Sequence, residues 1–281
     1  MYMTQEEQYL FDLRGYLVLR NVLSEAEVDE INCIIDKAVP HWEEKARAKQ
    51  AITGIGHDVI STENHDPTKG HVGFMSSLLL DWGEPMRRLV GHKKVLPYLI
   101  DLVGPSLRLD HQFAVLMKAG SVGEPLHGGN TPHVQGEFFE FKNNKICCGL
   151  TVVSIALCDV QAGSGGFCMI PGSHKSHFPL PDAFRGYSSE CVVQPALSKG
   201  DAVIFPEALI HGALPWTSPW ERRALIFKYC PGYIQWERGS PYVSGDYPWE
   251  DHQKFLLSLP YRTGRSRIPW PPPAGNGNGK D

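Results

Sequence analysis

The sequence predicts a mainly β protein, a sandwich or barrel with helices packed against one outer face. Two observations carry this. Helix-like patterns crowd into roughly the first hundred residues, and from about residue 107 the chain breaks into short runs rich in β-branched and aromatic residues, cut by Gly, Pro and Asp. No segment repeats another. One domain over 1–267 accounts for the pattern, with "PWPPPAGNGNGKD" too poor in apolar residues to pack, so that 268–281 is expected to be a flexible tail.

Taken in order, Thr4 with Glu7 forms a capping box that opens a short helix, and Gly15 closes it ahead of the strand-like "YLVL". A second box, Ser24 with Glu27, opens a longer helix whose Val28, Ile31 and Ile35 share one face. "EEKARAKQ" continues as charged helix. The following 24 residues hold neither period and read as a binding loop. Helical patterns return in "PMRRLV" and "KKVLPYLIDLV", the latter ending at Gly104. The strands then follow: "LRLDHQFAVLMKAG", "GLTVVSIALCDV", "GFCMIPGSH", "CVVQPAL", "DAVIFPEALIHG" and "RALIFKYCPGYI".

Bulk composition excludes several classes. A net charge of -4 over 281 residues, with 21% charged and 42% hydrophobic, gives no basic surface for nucleic acid. No stretch approaches the roughly 18 apolar residues of a membrane span, and the N-terminus lacks the basic-then-apolar order of a secretion signal, so a cytoplasmic location is expected. The seven cysteines are odd in number, form no C-x-x-C pair and sit mostly in apolar runs, which points to reduced buried thiols.

Three residues carry the chemistry. His127 ends an early strand in "EPLHGGNTPH", His211 ends a late one in "PEALIHGALPW", and Arg222 lies eleven residues further on. In a jelly roll an early and a late strand lie side by side, so two distant imidazoles reach one ion. Two histidines with open positions beside them are two-thirds of a facial triad for non-heme iron. A guanidinium nearby grips the far carboxylate of a 2-oxo acid through a forked pair of hydrogen bonds.

The runs "LCDVQAGSGGFCMIPGSHKSHF", "KGDAVIFPEALIHGALPW" and "RRALIFKY" resemble the phytanoyl-CoA dioxygenase family of iron(II)- and 2-oxoglutarate-dependent oxygenases, over about residues 9–235. The resemblance implies a double-stranded β-helix, the cupin-like jelly roll. It implies Fe(II) on His127 and His211, 2-oxoglutarate anchored by Arg222, dioxygen as oxidant and a small-molecule substrate. Lys118 matches a lysine that the family carries near the co-substrate. Ser154 falls where many members place a tryptophan against it. By period-two alternation Val152, Ser154 and Ala156 share one face.

One position departs from the family. Where His-x-Asp is expected, Gly129 stands in place of the aspartate. Three readings follow. A carboxylate from elsewhere completes the site, with Glu124, Glu137, Glu140 and Glu207 in range; on a continuous strand Glu207 would sit about 13 Å from His211, so that direct ligation needs a bulge. A halide fills the vacancy, as in related halogenases that carry Ala or Gly there. Or water serves, in an oxygenase or in a ligand-binding relative without turnover. Gly129→Asp is expected to strengthen metal binding and to block any halide site.

Other features have plainer explanations. His174 in "PGSH" fixes a turn, and His133 is a spare ligand at most. Gly163, Gly165 and Gly166 form a turn between strands, not a phosphate cradle. Trp216, Trp220, Trp236 and Arg238 are candidates for the substrate mouth, and Arg262, Arg265 and Arg267 are surface residues or an anion grip. Residues 50–76 and 235–265 are the lid candidates.

Overall fold

Period-two alternation along the strands and period 3.6 in the early helices build three packed layers. The computed structural model describes residues 1–47, 72–76, 79–237, 246–262 and 264–271. Most of the 50–76 lid candidate, and residues 238–245 and 263 of the other together with Arg238, lie outside the described residues.

Helix α1 (Gln5–Arg14) starts at the Thr4–Glu7 box and ends at Gly15. Strand β1 (Leu17–Leu19) leads to α2 (Glu25–Arg47), where Ser24 and Glu27 exchange their capping bonds at 2.8 and 3.3 Å. Val28, Ile31 and Ile35 are at most 1% exposed. Each such burial contributes about 1.5–3 kcal/mol, so this face is what holds α2 to the sheet. Strand β2 (Val72–Ser76) emerges within the stretch that has no sequence period, and is an edge strand. Helices α3 (Glu84–Arg87) and α4 (Leu96–Val103) follow, the second stopped by Gly104.

The remaining strands are β3 (Leu107–Met117), β4 (Glu124–His127), β5 (Phe139–Lys142), β6 (Lys145–Cys148), β7 (Thr151–Ala156), β8 (Gly166–Met169), β9 (Ala202–Pro206), β10 (His211–Leu214) and β11 (Arg222–Pro231), and α5 (Asp251–Leu256) closes the chain. They form a six-stranded sheet in the order β1-β9-β7-β11-β3-β2, a three-stranded sheet β4-β10-β8 and a β5-β6 hairpin. All pairings are antiparallel. This is a jelly roll.

The alternation sorts residues into cores. Val153, Ile155, Ile204, Leu225 and Phe227 face the helices. Their neighbours Val152, Ala156, Val203, Phe205 and Ile226 face the smaller sheet and enclose the interior. Leu126, Cys168, Ile170 and Ile210 pack on that sheet's outer side. The face predicted for Val152, Ser154 and Ala156 is the inward one.

Two expectations change. The packed chain extends past residue 267: Ile268 is 6% exposed in the helix-side core and its N–H donates to Pro105 O at 2.7 Å. The tail boundary therefore moves beyond Trp270, which packs on the same core, and 272–281 lie outside the described residues. Arg265 is no anion grip, because its guanidinium donates to the Ser106 and Leu107 carbonyls at 2.9 and 3.0 Å. All seven cysteines are free. Among the described residues no helix is long and apolar enough to cross a membrane.

Candidate metal centre and co-substrate pocket

Strand pairing puts the two histidines together. His127, at the end of β4, is the register partner of His211, at the start of β10. Their ring centroids lie 4.2 Å apart, and Phe205 sits edge-on to His211 at 4.8 Å. Each imidazole is fixed by its own backbone. His127 Nδ1 lies 2.9 Å from Pro125 O, and His211 Nδ1 lies 2.7 Å from Leu209 O. A carbonyl only accepts, so both Nδ1 atoms carry the proton and both Nε2 lone pairs are left for an ion. Burial pulls the His211 pKa down to about 4, which keeps it neutral and able to ligate.

Glu207 is the carboxylate that lies with the two imidazoles. The break in the strand that its approach to His211 requires is present: β9 ends at Pro206, Leu209 N–H donates back to Pro206 O at 2.8 Å, and the chain turns before β10 begins. The turn shortens the gap, and Glu207 Oε2 lies 3.9 Å from His211 Nε2. Ligand atoms of His127, Glu207 and His211 all fall within 4.8 Å of one another. Glu207 Oε1 is paired with Lys228 Nζ at 2.6 Å. Burial pushes this carboxyl up, but Lys228 and His211 outweigh it and hold it at about 2, so it is ionised. Two fixed Nε2 acceptors and one ionised oxygen facing each other make a donor set suited to a divalent ion.

The glycine pair after His127 belongs to the same construction. Gly128 and Gly129 have φ of 80° and 108°, and Gly129 N–H donates to Glu207 O at 3.3 Å. A Cβ at Gly128 would lie 2.5 Å from Glu207 O and 2.9 Å from Leu209 O. The side-chain-free loop thus lets the Glu207 turn approach. At Gly129 a Cβ would meet Ile210 Cγ1 at 3.1 Å, on the outer side of the small sheet, so an aspartate there starts away from the two imidazoles. The expectation that Gly129→Asp strengthens metal binding is revised accordingly.

Arg222, the first residue of β11, is 5% exposed and its Nη1 donates to Met117 Sδ at 3.3 Å. Among the described residues no carboxylate forms an ion pair with it, although Glu124 acts on it through space. Burial lowers its pKa from the usual guanidinium value. A buried, unpaired cation is costly unless an anion is supplied. Gly166 makes its seat: a Cβ there would lie 2.6 Å from Arg222 Nε. One cavity of about 90 Å³ is lined by His127, His211, Glu207, Arg222, Ser154 and Lys228, with Val152, Phe205 and Ile226 as apolar wall.

Of the expected site residues, His127, His211, Arg222 and Ser154 share this cavity. Lys118 does not: it is exposed just past the end of β3, and the lysine at the site is Lys228. Of the other acids, Glu124 lines the cavity and Glu140 is exposed on the β5-β6 hairpin. Glu137 is half-buried; burial first, and the Glu207 charge second, push its carboxyl up to about 6. Trp216 is fully buried, its Nε1 donating to Trp220 O at 2.6 Å, and so packs the interior. His174 is structural, with Nε2 at 3.0 Å from Asp12 O and its ring edge-on to Phe139. In the same turn, Ser173 Oγ accepts from Ile210 N–H at 2.8 Å and steadies the residue before His211.

Next to Lys228, a β-bulge leaves Asp110 without a register partner. Its buried carboxylate takes Arg108 Nη1 at 2.9 Å, His111 Nδ1 at 2.7 Å and the N–H groups of Trp236 and Glu237 at 2.9 and 3.0 Å. It thereby ties the segment carrying Trp236 to β3.

Comparison with known proteins agrees with this architecture. The family model for phytanoyl-CoA dioxygenase (PhyH) matches residues 11–224. The peroxisomal phytanoyl-CoA dioxygenase of Bos taurus is 21% identical over 224 residues, 74% of this chain, and the chain spans 63% of that relative's length. HygX from Streptomyces hygroscopicus, solved with iron bound, superimposes with a TM-score of 0.66 at 21% identity, covering 84% of this chain and 89% of HygX. HygX has also been solved with nickel, 2-oxoglutarate and hygromycin B. The non-heme alpha-ketoglutarate-dependent carbocyclase SnoK from nogalamycin biosynthesis gives 0.57 at 20% identity, over 82% of this chain and 85% of its own.

Proposed function

The chain belongs to the phytanoyl-CoA dioxygenase family, and from that premise we propose that it is an iron(II)- and 2-oxoglutarate-dependent dioxygenase oxidising a C–H bond of a small metabolite. The observation that carries this reading is the convergence of His127, His211 and the ionised Glu207 in one cavity with the buried guanidinium of Arg222, which has no carboxylate ion pair among the described residues. His127 Nε2, His211 Nε2 and one Glu207 oxygen hold the ion. Arg222 pairs with the far carboxylate of 2-oxoglutarate, and Ser154 lines the space between. When bound, iron with 2-oxoglutarate and dioxygen supplies an oxidant able to take hydrogen from an unactivated carbon.

The chain itself orients the reactants and excludes water. Val152, Phe205, Phe167 and Ile226 wall the cavity, and its volume of about 90 Å³ is well below the roughly 300–1,000 Å³ of pockets for drug-sized ligands. That suits a small co-substrate, with the substrate bound outside it, towards the exposed His127. Glu207 also bears on halogenation: a halide at the ion requires the carboxylate position to be vacant, and the reading of Glu207 as a ligand supports an oxygenase over a halogenase.

Anaerobic addition of Fe(II) and 2-oxoglutarate tests the reading. The expected result is a metal-to-ligand charge-transfer absorption that is lost in Arg222→Ala and His211→Ala. Its absence from the parent protein overturns the reading in favour of a ligand-binding relative without turnover.

A further inference from the structure

We propose that Lys228 is a positioning residue that restricts Glu207 to a single coordinating oxygen and so keeps one position on the ion free. The inference rests on the reading of His127, Glu207 and His211 as ligands. Lys228 approaches from β11, across β7 from the end of β9 that leads into Glu207. Along β11, Arg222, Ile226 and Lys228 line the cavity while Leu225 and Phe227 face the helices, so the strand's alternation alone delivers an ammonium to the buried end of Glu207. The two side chains are 16% and 5% exposed, and the contact is 2.6 Å. The ammonium also lies 5.6 Å from the centre of the Phe113 ring, which limits its alternatives.

The two oxygens of Glu207 are unequal as a result. Oε1 is engaged by Lys228, while Oε2 faces the imidazoles. On an octahedral ion a carboxylate bound through both oxygens fills two positions; with two histidines and a chelating 2-oxo acid, nothing is left for dioxygen. Bound through Oε2 alone, it leaves one position open. An aspartate on the short His-x-Asp loop has its reach limited by its backbone. The longer glutamate side chain, arriving from a turn, needs another restraint, and Lys228 is placed to supply it. A cation beside the site also opposes the charge of the ion and lowers its affinity.

The test uses Co(II) and 2-oxoglutarate without turnover, on the full chain. The expected result for Lys228→Met is Co(II) bound about tenfold more tightly, a changed Co(II) ligand-field spectrum, and a spectrum of the Co(II) protein with 2-oxoglutarate shifted from five- towards six-coordinate. Lys228→Gln, which keeps an uncharged donor, shifts all three in the same direction by less, and it decides the matter should the Met variant fail to fold. A parent-like Co(II) affinity and parent-like spectra in a folded Lys228→Met or Lys228→Gln protein overturn the proposal. Glu207→Ala separates the two levels: Co(II) binding equal to the parent removes Glu207 from the ligands and overturns both the ligand reading and the role of Lys228, whereas weakened binding with parent-like Lys228 variants overturns the role of Lys228 alone.

Discussion

Adding one methyl group at Gly128 tests how the site is built. Its φ of 80° costs an L-residue about 1–2 kcal/mol. The new Cβ would stand 2.5 Å from Glu207 O, where an ordinary carbon–oxygen contact is about 3.3 Å. Both partners are backbone, so the 207–210 turn must withdraw by about 0.8 Å, at a cost of about 1–3 kcal/mol. The sum is on the order of 3 kcal/mol, a fall in Tm of about 6–12 °C. Metal sites tolerate about 0.2 Å in ligand position, so the same shift weakens metal binding by about ten- to a hundredfold. Gly163→Ala is the control, because φ is 83° there and nothing lies within 4 Å of the added carbon. Calorimetry and Co(II) titration of both variants read the result. If Gly128→Ala is no less stable than Gly163→Ala and binds Co(II) like the parent, the glycine pair does not serve the approach of Glu207.

Three further predictions follow from particular contacts. In the Glu207→Ala background, Gly129→Asp leaves Co(II) affinity unrestored, since its side chain starts against Ile210; recovery to the parent value would contradict the geometry. Asp110→Ala strips Arg108 of its buried partner and lowers stability by about 3–5 kcal/mol in urea unfolding, and a loss under about 1 kcal/mol would mean that the pair is not desolvated as it stands. Stability also falls on acidification through His174. Its ordinary pKa of 6.5 is lowered to about 4 by burial, so between these values the unfolded chain binds the extra proton and the folded chain resists it. This contribution is complete above pH 6.5, is lost progressively down to about pH 4, and amounts to about 3 kcal/mol. His174→Gln, which keeps a donor for Asp12 O, flattens that part of the urea-midpoint profile; an unchanged slope would place the effect elsewhere.

Much of the fold was legible because its signals are local. The Thr4 and Ser24 capping boxes, the Val28–Ile31–Ile35 stripe and the alternation through Val152, Ser154 and Ala156 each report a face that the structure buries. The pairing of His127 with His211 was inferable from the order of strands in a jelly roll, since strand neighbours bring the ends of β4 and β10 together. Glu207 was not readable in the same way. Its distance from His211 depends on whether 207–210 continues the strand or turns, and the apolar "ALI" within that stretch has the composition of a strand. The turn is set by tertiary contacts: the Leu150 carbonyl that accepts Glu207 N–H, the Gly129 N–H, and Ser173 Oγ. Lys118 lies outside the cavity for a related reason. Strand β3 ends at Met117, so the alternation that would aim residue 118 no longer applies. Lys228 stayed hidden because a lysine in "LIFKY" looks like the polar face of a strand until its partner, at the end of a strand two places away in the sheet, is known.

The central claim is that Glu207, from the turn before His211, supplies the carboxylate missing at Gly129. A crystal structure of the protein loaded anaerobically with Fe(II) tests it most directly. The account predicts one ion on His127 Nε2, His211 Nε2 and a single Glu207 oxygen, with the other oxygen still on Lys228. An ion held by the two histidines with chloride or water in the third place, and Glu207 turned wholly to Lys228, would contradict it.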